Sequence, residues 1–165
     1  MTGREEFFNS LVRDYSERVY WHVRSLVDSH EDADDLVQEI FLKAWRALPA
    51  FRGDSSPFTW LWRIATNEAL GFLRKRKLRS FFEGLGAEAQ NVAQTDGIQD
   101  GEEAERKLQN AIRELPDKQR AVFCMRYFEE LPYETISGIT GTSVGALKAS
   151  YHFAAGKLKD FLSED

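Results

Sequence analysis

The chain has 165 residues, 42% hydrophobic and 30% charged, which suits one ordinary or two small folded domains and excludes a disordered chain. No apolar run is long enough to span a bilayer, and the start Met1-Thr2-Gly3-Arg4-Glu5-Glu6 lacks a signal peptide's basic head and apolar centre, so the expected compartment is the cytoplasm. The lone Cys124 excludes an internal disulfide, and a net charge of −5 argues, taken as a total, against a nucleic-acid ligand.

Apolar residues recur at helical spacing and never in strand alternation, so the predicted fold is all-α, with about four helices in the N-terminal half. Phe7, Phe8, Leu11, Val12, Tyr15, Val19, Val23, Leu26 and Val27 form one stripe through the first thirty residues. Ser29-His30-Glu31-Asp32 reads as a capping signal for a second helix, with Leu36, Val37, Ile40, Phe41, Ala44, Trp45 and Leu48 inward, ended by Pro49. Its polar face groups Asp35, Gln38 and Glu39. Ser56-Pro57 starts a third long helix, Ser as cap and Pro at the first helical position. Its expected core residues are Phe58, Leu61, Trp62, Ala65, Ala69 and Phe72. It runs into Arg74-Lys75-Arg76-Lys77-Leu78-Arg79, five cations in six residues, more than a helix C-terminus needs for its dipole.

From Glu83 to Glu105 the chain carries seven acids and no Lys or Arg; without them the rest is at +2. Because screening limits surface fields to about 8–10 Å, the local basic run matters more to a polyanion than the total. This glycine-containing acidic stretch reads as a flexible linker, with domains over 1–80 and 105–165 and the linker over 81–104. Beyond it, helices are expected over about 102–114, 117–128 and 133–140, broken at Leu115-Pro116 and Leu131-Pro132. Gly141-Thr142 makes a turn, and Ser143 caps a last helix burying Val144, Leu147, Tyr151, Ala154 or Ala155, Leu158 and Phe161. A short helix, a glycine turn and a longer helix form a helix-turn-helix, whose second helix offers the exposed face Gly145, Lys148, Ala149, His152 and Gly156, with Ser143 and Ala146 beside its beginning.

These segments carry a family resemblance. Asp32-Ala33-Asp34-Asp35-Leu36-Val37-Gln38-Glu39-Ile40-Phe41-Leu42-Lys43-Ala44-Trp45 resembles the polymerase-binding helix of extracytoplasmic-function (ECF) sigma factors, of the sigma-70 family. Phe51-Arg52-Gly53-Asp54-Ser55 with Thr59-Trp60-Leu61-Trp62-Arg63-Ile64-Ala65-Thr66-Asn67 resembles that class's promoter-melting loop and helix. Leu115-Pro116-Asp117-Lys118-Gln119-Arg120, Tyr133-Glu134-Thr135-Ile136 and Ser143-Val144-Gly145-Ala146-Leu147-Lys148 are similar to its DNA-reading C-terminal domain.

The resemblance implies an alternative sigma factor that binds core RNA polymerase and directs promoter-specific initiation, under control of an anti-sigma factor that can be membrane-tethered. Asp35, Gln38, Glu39 and Leu42 would dock on the polymerase; a solvated acidic face is the plainer reading of the three polar residues. Phe51, Arg52, Asp54 and Ser55 would capture a flipped base of the −10 element, with Trp60, Arg63, Asn67, Arg74, Lys75 and Arg76 on the adjoining DNA. Phe51 alone fits a base platform and a core anchor equally, whereas Trp60 and Trp62 are more ordinary as core. Ser143, Gly145, Ala146, Lys148, Ala149 and His152 would read the −35 element. Here the chain departs from the family: Ser150, Phe153, Ala155 and Gly156 stand where many relatives carry arginines. The linker acids could mimic nucleic acid inside the polymerase, or simply give solubility.

No enzyme is expected. His22, His30 and His152 lie outside any metal-ligand spacing, no phosphate-cradling glycine motif occurs, and Cys124 among Val122, Phe123 and Met125 reads as a buried small residue. No catalytic residue, metal or cofactor is assigned. A stand-alone helix-turn-helix regulator would bind operator duplex alone, usually as a dimer; the sigma reading predicts a free monomer that binds polymerase tightly and free DNA poorly. A third reading makes the N-terminal half only a protein-interaction bundle.

Overall fold

A computed structural model describes residues 2–84 and 103–163. Among these residues seven α-helices run in chain order: α1 (Gly3–Arg24), α2 (His30–Ala47), α3 (Pro57–Phe82), α4 (Glu103–Arg113), α5 (Asp117–Tyr127), α6 (Tyr133–Thr140) and α7 (Val144–Leu162). Among the described residues there is no strand. The N-terminal half thus holds three α-helices rather than about four, with one short 3-10 turn at Leu48–Ala50. Pro49 lacks the N–H that would continue α2, and the chain tightens into that turn instead. Residues 81–82 and 103–104, expected in the linker, are helical; the remaining expected linker, with its acids Glu88, Asp96, Asp100 and Glu102, lies outside the described residues apart from Glu83 and Gly84.

Local chemistry sets the helix starts. Thr2 and Glu5 form a reciprocal capping box on α1 at 3.0 Å each way. Ser29 accepts from the Asp32 N–H at 3.1 Å, Ser56 from the Thr59 N–H at 3.1 Å, and Ser143 from the Ala146 N–H at 3.2 Å. Each satisfies one orphan donor of the first turn, a contribution of about 1 kcal/mol. Gly141, at φ +78°, closes α6 in the left-handed region, which costs glycine nothing.

Helices α1, α2 and α3 bury Val19, Val23, Leu26, Val27, Ile40, Ala44, Leu61, Trp62 and Ala65 against one another. Trp62 is fully buried, stacked on Phe58 at 4.0 Å and edge-on to Tyr15 at 5.8 Å. Rings of this size dominate the burial energy of a small domain. Leu26 and Val27 belong to the core but follow the end of α1, so the first stripe outlasts its helix. In the C-terminal half α5 packs on α7, with Ile112, Leu115, Phe123, Ala154 and Leu158 between α4, α5 and α7. Leu147 is buried and Val144 and Tyr151 half-buried, as expected, but Phe161 is exposed. The last turn of α7 lies beyond Leu158, the final residue of this cluster.

The two halves also pack together. α6 lies along α3, and Ala121, Val122, Met125, Ile136 and Leu147 share one apolar cluster with Leu61, Trp62 and Ala65.

Candidate polymerase and nucleic-acid interfaces

Helix α2 buries Ala33, Leu36, Ile40 and Ala44 inward. The same 3.6-residue period therefore places Asp35, Gln38, Glu39 and Leu42 together outside, and all four are exposed. Leu42 is 43% exposed, an apolar side chain amid acceptors. One helix turn along, Lys43 pairs with Glu68 of α3 at 2.7 Å. That hydrogen bond, with the glutamate's charge, raises the lysine pKa above its ordinary value.

The loop before α3 turns at Gly53, φ +80°. Arg52 and Asp54 project into solvent, while Ser55 is half-buried. Phe51 packs as an anchor while part of its ring stays open. It lies nearly parallel to Phe7, centroids 6.1 Å apart, and leans on Trp60 at 4.8 Å, yet remains only half-buried. Trp60 and Trp62 take different sides of α3, as their spacing requires: Trp62 fills the core and Trp60 supports Phe51.

Farther along α3, Asn67 is exposed, but Arg63 is engaged. Its guanidinium donates from Nε (3.2 Å) and Nη2 (2.9 Å) to the carbonyl of Gly138 in α6. Arg74, Lys75 and Arg76 are exposed at the basic end, with Arg76 3.9 Å from Asp32. Neighbouring Lys77 reaches Asp117 at 3.0 Å.

In the helix-turn-helix, Ser143, Gly145, Ala146, Lys148, Ala149 and His152 are all exposed and lie on the first three turns of α7. The Ser143 hydroxyl is spent on its own helix as a cap. Lys148 hovers 5.9 Å over the Tyr133 ring. Cys124 is buried, its Sγ 3.9 Å from the Ser25 carbonyl, and burial pushes its pKa up to about 11. Such a thiol is protonated near neutral pH, unlike a poised nucleophile.

Residues 11–79 match sigma-70 region 2, and residues 105–158 match sigma-70 region 4. The chain belongs to the sigma-70 family. It is 33% identical over 158 residues to the RNA polymerase sigma-H factor of Pseudomonas aeruginosa, covering 89% of this chain and 81% of that one. It is 34% identical over 157 residues to the ECF RNA polymerase sigma-E factor of Escherichia coli, covering 89% and 82%. Among solved structures it is similar to the sigma factor RpoE of Bartonella quintana, co-crystallised with the anti-sigma factor NepR. There the TM-score is 0.75, at 26% identity over 98% of this chain and 99% of that one. The fold also matches CnrH, solved with the cytosolic domain of CnrY, at TM-score 0.73 and 22% identity over 99% and 92% of the two chains. This is an alternative sigma factor of the ECF kind.

Three groups in this sigma factor have no signal in the sequence. Glu129, in the loop after α5, places Oε2 2.5 Å from His22 Nδ1 and accepts from the Trp62 indole at Oε1, 3.0 Å. Asp28 accepts from Arg113 at 3.1 Å and from the buried Arg120 at 3.3 Å. Thr66 sits 2.8 Å from His22 Nε2. Most of these partners are about 60 to 110 residues apart, so no local pattern announces them.

Proposed function

We propose that this sigma factor docks on core RNA polymerase through Asp35, Gln38, Glu39 and Leu42, and directs it to promoters by reading −10 and −35 elements. The observation that carries the reading is the exposed, self-contained α2 face: three acceptors around one apolar side chain, with none of the four drawn into the fold. Acceptors in this setting suit a basic partner surface, and an exposed leucine is the kind of side chain a protein interface buries.

In this reading the functional units are 1–80 and 105–165. The first captures a −10 base at Phe51, Arg52, Asp54 and Ser55 and lines the DNA with Trp60, Arg63, Asn67, Arg74, Lys75 and Arg76. The half-exposed Phe51 ring, backed by Phe7 and Trp60, supports that role because a base can stack on a ring already held in place. The second presents Ser143, Gly145, Ala146, Lys148, Ala149 and His152 to the −35 major groove. The protein catalyses nothing itself, works in the cytoplasm, is a monomer when free and is held in check by an anti-sigma factor. No helix among the described residues is long and apolar enough to cross a membrane.

Size-exclusion chromatography with core polymerase tests the anchor. The wild type should co-elute, and folded Asp35→Lys/Glu39→Lys should not. A double variant that still co-elutes would refute the α2 anchor. A wild type that binds no core enzyme but shifts promoter duplex alone would favour a stand-alone helix-turn-helix regulator.

A further inference from the structure

Leu73 is the last buried residue of α3, and every side chain from Arg74 to Phe82 is exposed. At 1.5 Å of rise per residue, this stretch carries the helix about 13 Å past its last buried turn. An overhang with no core to face is expected to be polar all round. This one is not: Leu78 is 54% exposed, Phe81 69% and Phe82 74%. At about 100° per residue the three fall within one arc of about 100°. The two rings meet edge to face, centroids 5.5 Å apart.

The rest of the overhang is basic. Lys75 and Lys77 border the apolar arc on its two sides, Arg74 lies on it one turn earlier, and Arg79 follows beyond Lys75. No acid occurs between Arg74 and Phe82. Lys77 holds Asp117 at 3.0 Å and Arg76 stands 3.9 Å from Asp32. Arg74, Lys75 and Arg79 have no ion pair among the described residues. Lys118 of α5 adds a cation in the groove that Leu78 and Phe81 line.

The cations alone suit any phosphodiester, whether of a nucleic acid or of a phospholipid. The apolar ridge separates the two. Leucine offers a base no ring to stack on, and a duplex presents little apolar surface for three such side chains. The boundary between lipid headgroups and acyl chains buries them, and lysine and arginine stems reach from that depth to the phosphates. The net charge of −5 opposes an anionic membrane only within a Debye length of about 8–10 Å, and the overhang is longer than that.

We propose that the end of α3 is a membrane-surface anchor, which lays Leu78, Phe81 and Phe82 into the headgroup layer of an anionic phospholipid bilayer while Lys75, Lys77 and Arg79 bind lipid phosphates. The contact is peripheral and reversible, since a stretch this short lies on a bilayer and does not cross it. The anchor itself does not depend on the sigma reading. Where Arg74, Lys75 and Arg76 also line DNA, as proposed above, bilayer and promoter draw on the same cations and exclude each other. The membrane then holds a reserve of free protein that polymerase and promoter draw down.

Flotation of the full chain with vesicles tests this, one set of equimolar phosphatidylglycerol and phosphatidylcholine and one of phosphatidylcholine alone. The wild type should float with the anionic set and bind the neutral set at least about tenfold more weakly, because each cation near an anionic surface is worth about fivefold. Raising the salt from about 0.1 M to about 0.5 M should release most of it. Leu78→Ala/Phe81→Ala/Phe82→Ala keeps every charge and favours the helix, so its circular dichroism should match the wild type. Its binding to anionic vesicles should nevertheless fall at least about tenfold. Lys75→Ala/Arg79→Ala, which leaves the ridge intact, should fall by a similar factor.

A wild type that floats with neither set overturns the anchor. So does a triple alanine variant that floats like the wild type, because the cations alone then account for the binding. If the triple variant instead loses affinity for a random single-stranded oligonucleotide while vesicles bind neither protein, the ridge serves nucleic acid and the proposal fails. Polymerase co-elution of the triple variant should equal that of the wild type, so failure of the anchor and failure of the sigma reading show in different experiments.

Discussion

The Asp28 site allows a quantitative prediction whose size depends on which partner is removed. Asp28 lies in the turn after α1 and accepts from Arg113 and Arg120, while the Arg120 Nε also donates to the Ser25 carbonyl at 3.0 Å. Arg120 is only 7% exposed, whereas the Asp28 side chain is 34% exposed. Breaking a fully buried pair costs about 3–5 kcal/mol, and an exposed pair is worth about 0–1 kcal/mol. Asp28→Ala falls between, at about 1–3 kcal/mol, because Arg120 is left buried with one of its two acceptors. Arg120→Met removes the buried charge and keeps most of the packing, so its loss should be about 1 kcal/mol or less. With no cation left to strand at position 120, the double variant should cost less than the two single losses added, with a coupling of about 1 kcal/mol. Urea unfolding followed by circular dichroism and by tryptophan fluorescence supplies the free energies, provided the two transitions coincide. An Asp28→Ala variant within about 0.5 kcal/mol of wild type, or strictly additive losses, would refute the reasoning.

Gly141→Ala should destabilise the C-terminal domain by about 1 kcal/mol, since alanine resists φ +78°, and the drop would appear as a lower melting temperature. Cys124 should label slowly with iodoacetamide at pH 8, where a thiol of pKa about 11 is only about one part in a thousand thiolate. Burial raises this pKa, so the rate should climb steadily with pH up to about 11 and jump when the chain is unfolded in urea; fast labelling of the folded protein at pH 8 would contradict the burial. Lys75→Ala should lower the salt slope of promoter binding by the polymerase-bound protein by about 0.9, the share of one duplex phosphate, and an unchanged slope would remove Lys75 from the DNA path.

Most of the fold was legible because its boundaries are local chemistry. Ser29, Ser56-Pro57 and Ser143 each start a helix where the sequence placed one, and Pro132 with Gly141 brackets α6 at Tyr133–Thr140. The exposure of the proposed docking face of α2 followed from period alone, since burying Leu36, Ile40 and Ala44 forces Asp35 and Glu39 outward. Periodicity failed where an apolar stripe outruns its partner. Phe161 keeps the spacing of Leu147, Ala154 and Leu158, but it lies beyond the last residue of the buried cluster and is exposed. The turn at Leu48–Ala50, with its single proline, hid the fact that the described part of the N-terminal half holds three α-helices. Engagement of Arg63 could not be read either, because a basic residue aimed at DNA and one bound to a distant carbonyl look alike in one dimension. Glu129 and Asp28 belong to the same class: each reads as a surface acid until the other domain is in place.

The proposed recognition helix, α7, is poor in arginine, which bears on how the two domains would divide the work. Its exposed face offers Lys148 and His152 as polar reach and Gly145, Ala146 and Ala149 as small surfaces. Small residues let the helix backbone approach the groove and leave room for thymine-methyl contacts, but they neutralise few phosphates. With about one lysine contributing, counterion release supplies little of the affinity, and this domain alone should hold duplex DNA weakly. The basic run at Arg74–Arg79 sits on the other domain, so neither half carries both groove reading and charge. Tethering the two on one polymerase would convert the second contact into an intramolecular one, with effective concentrations that reach the millimolar range for short links. On that argument the polymerase supplies the affinity that α7 lacks, and a −35 contact too weak to hold the free protein would still select the promoter once the enzyme is docked.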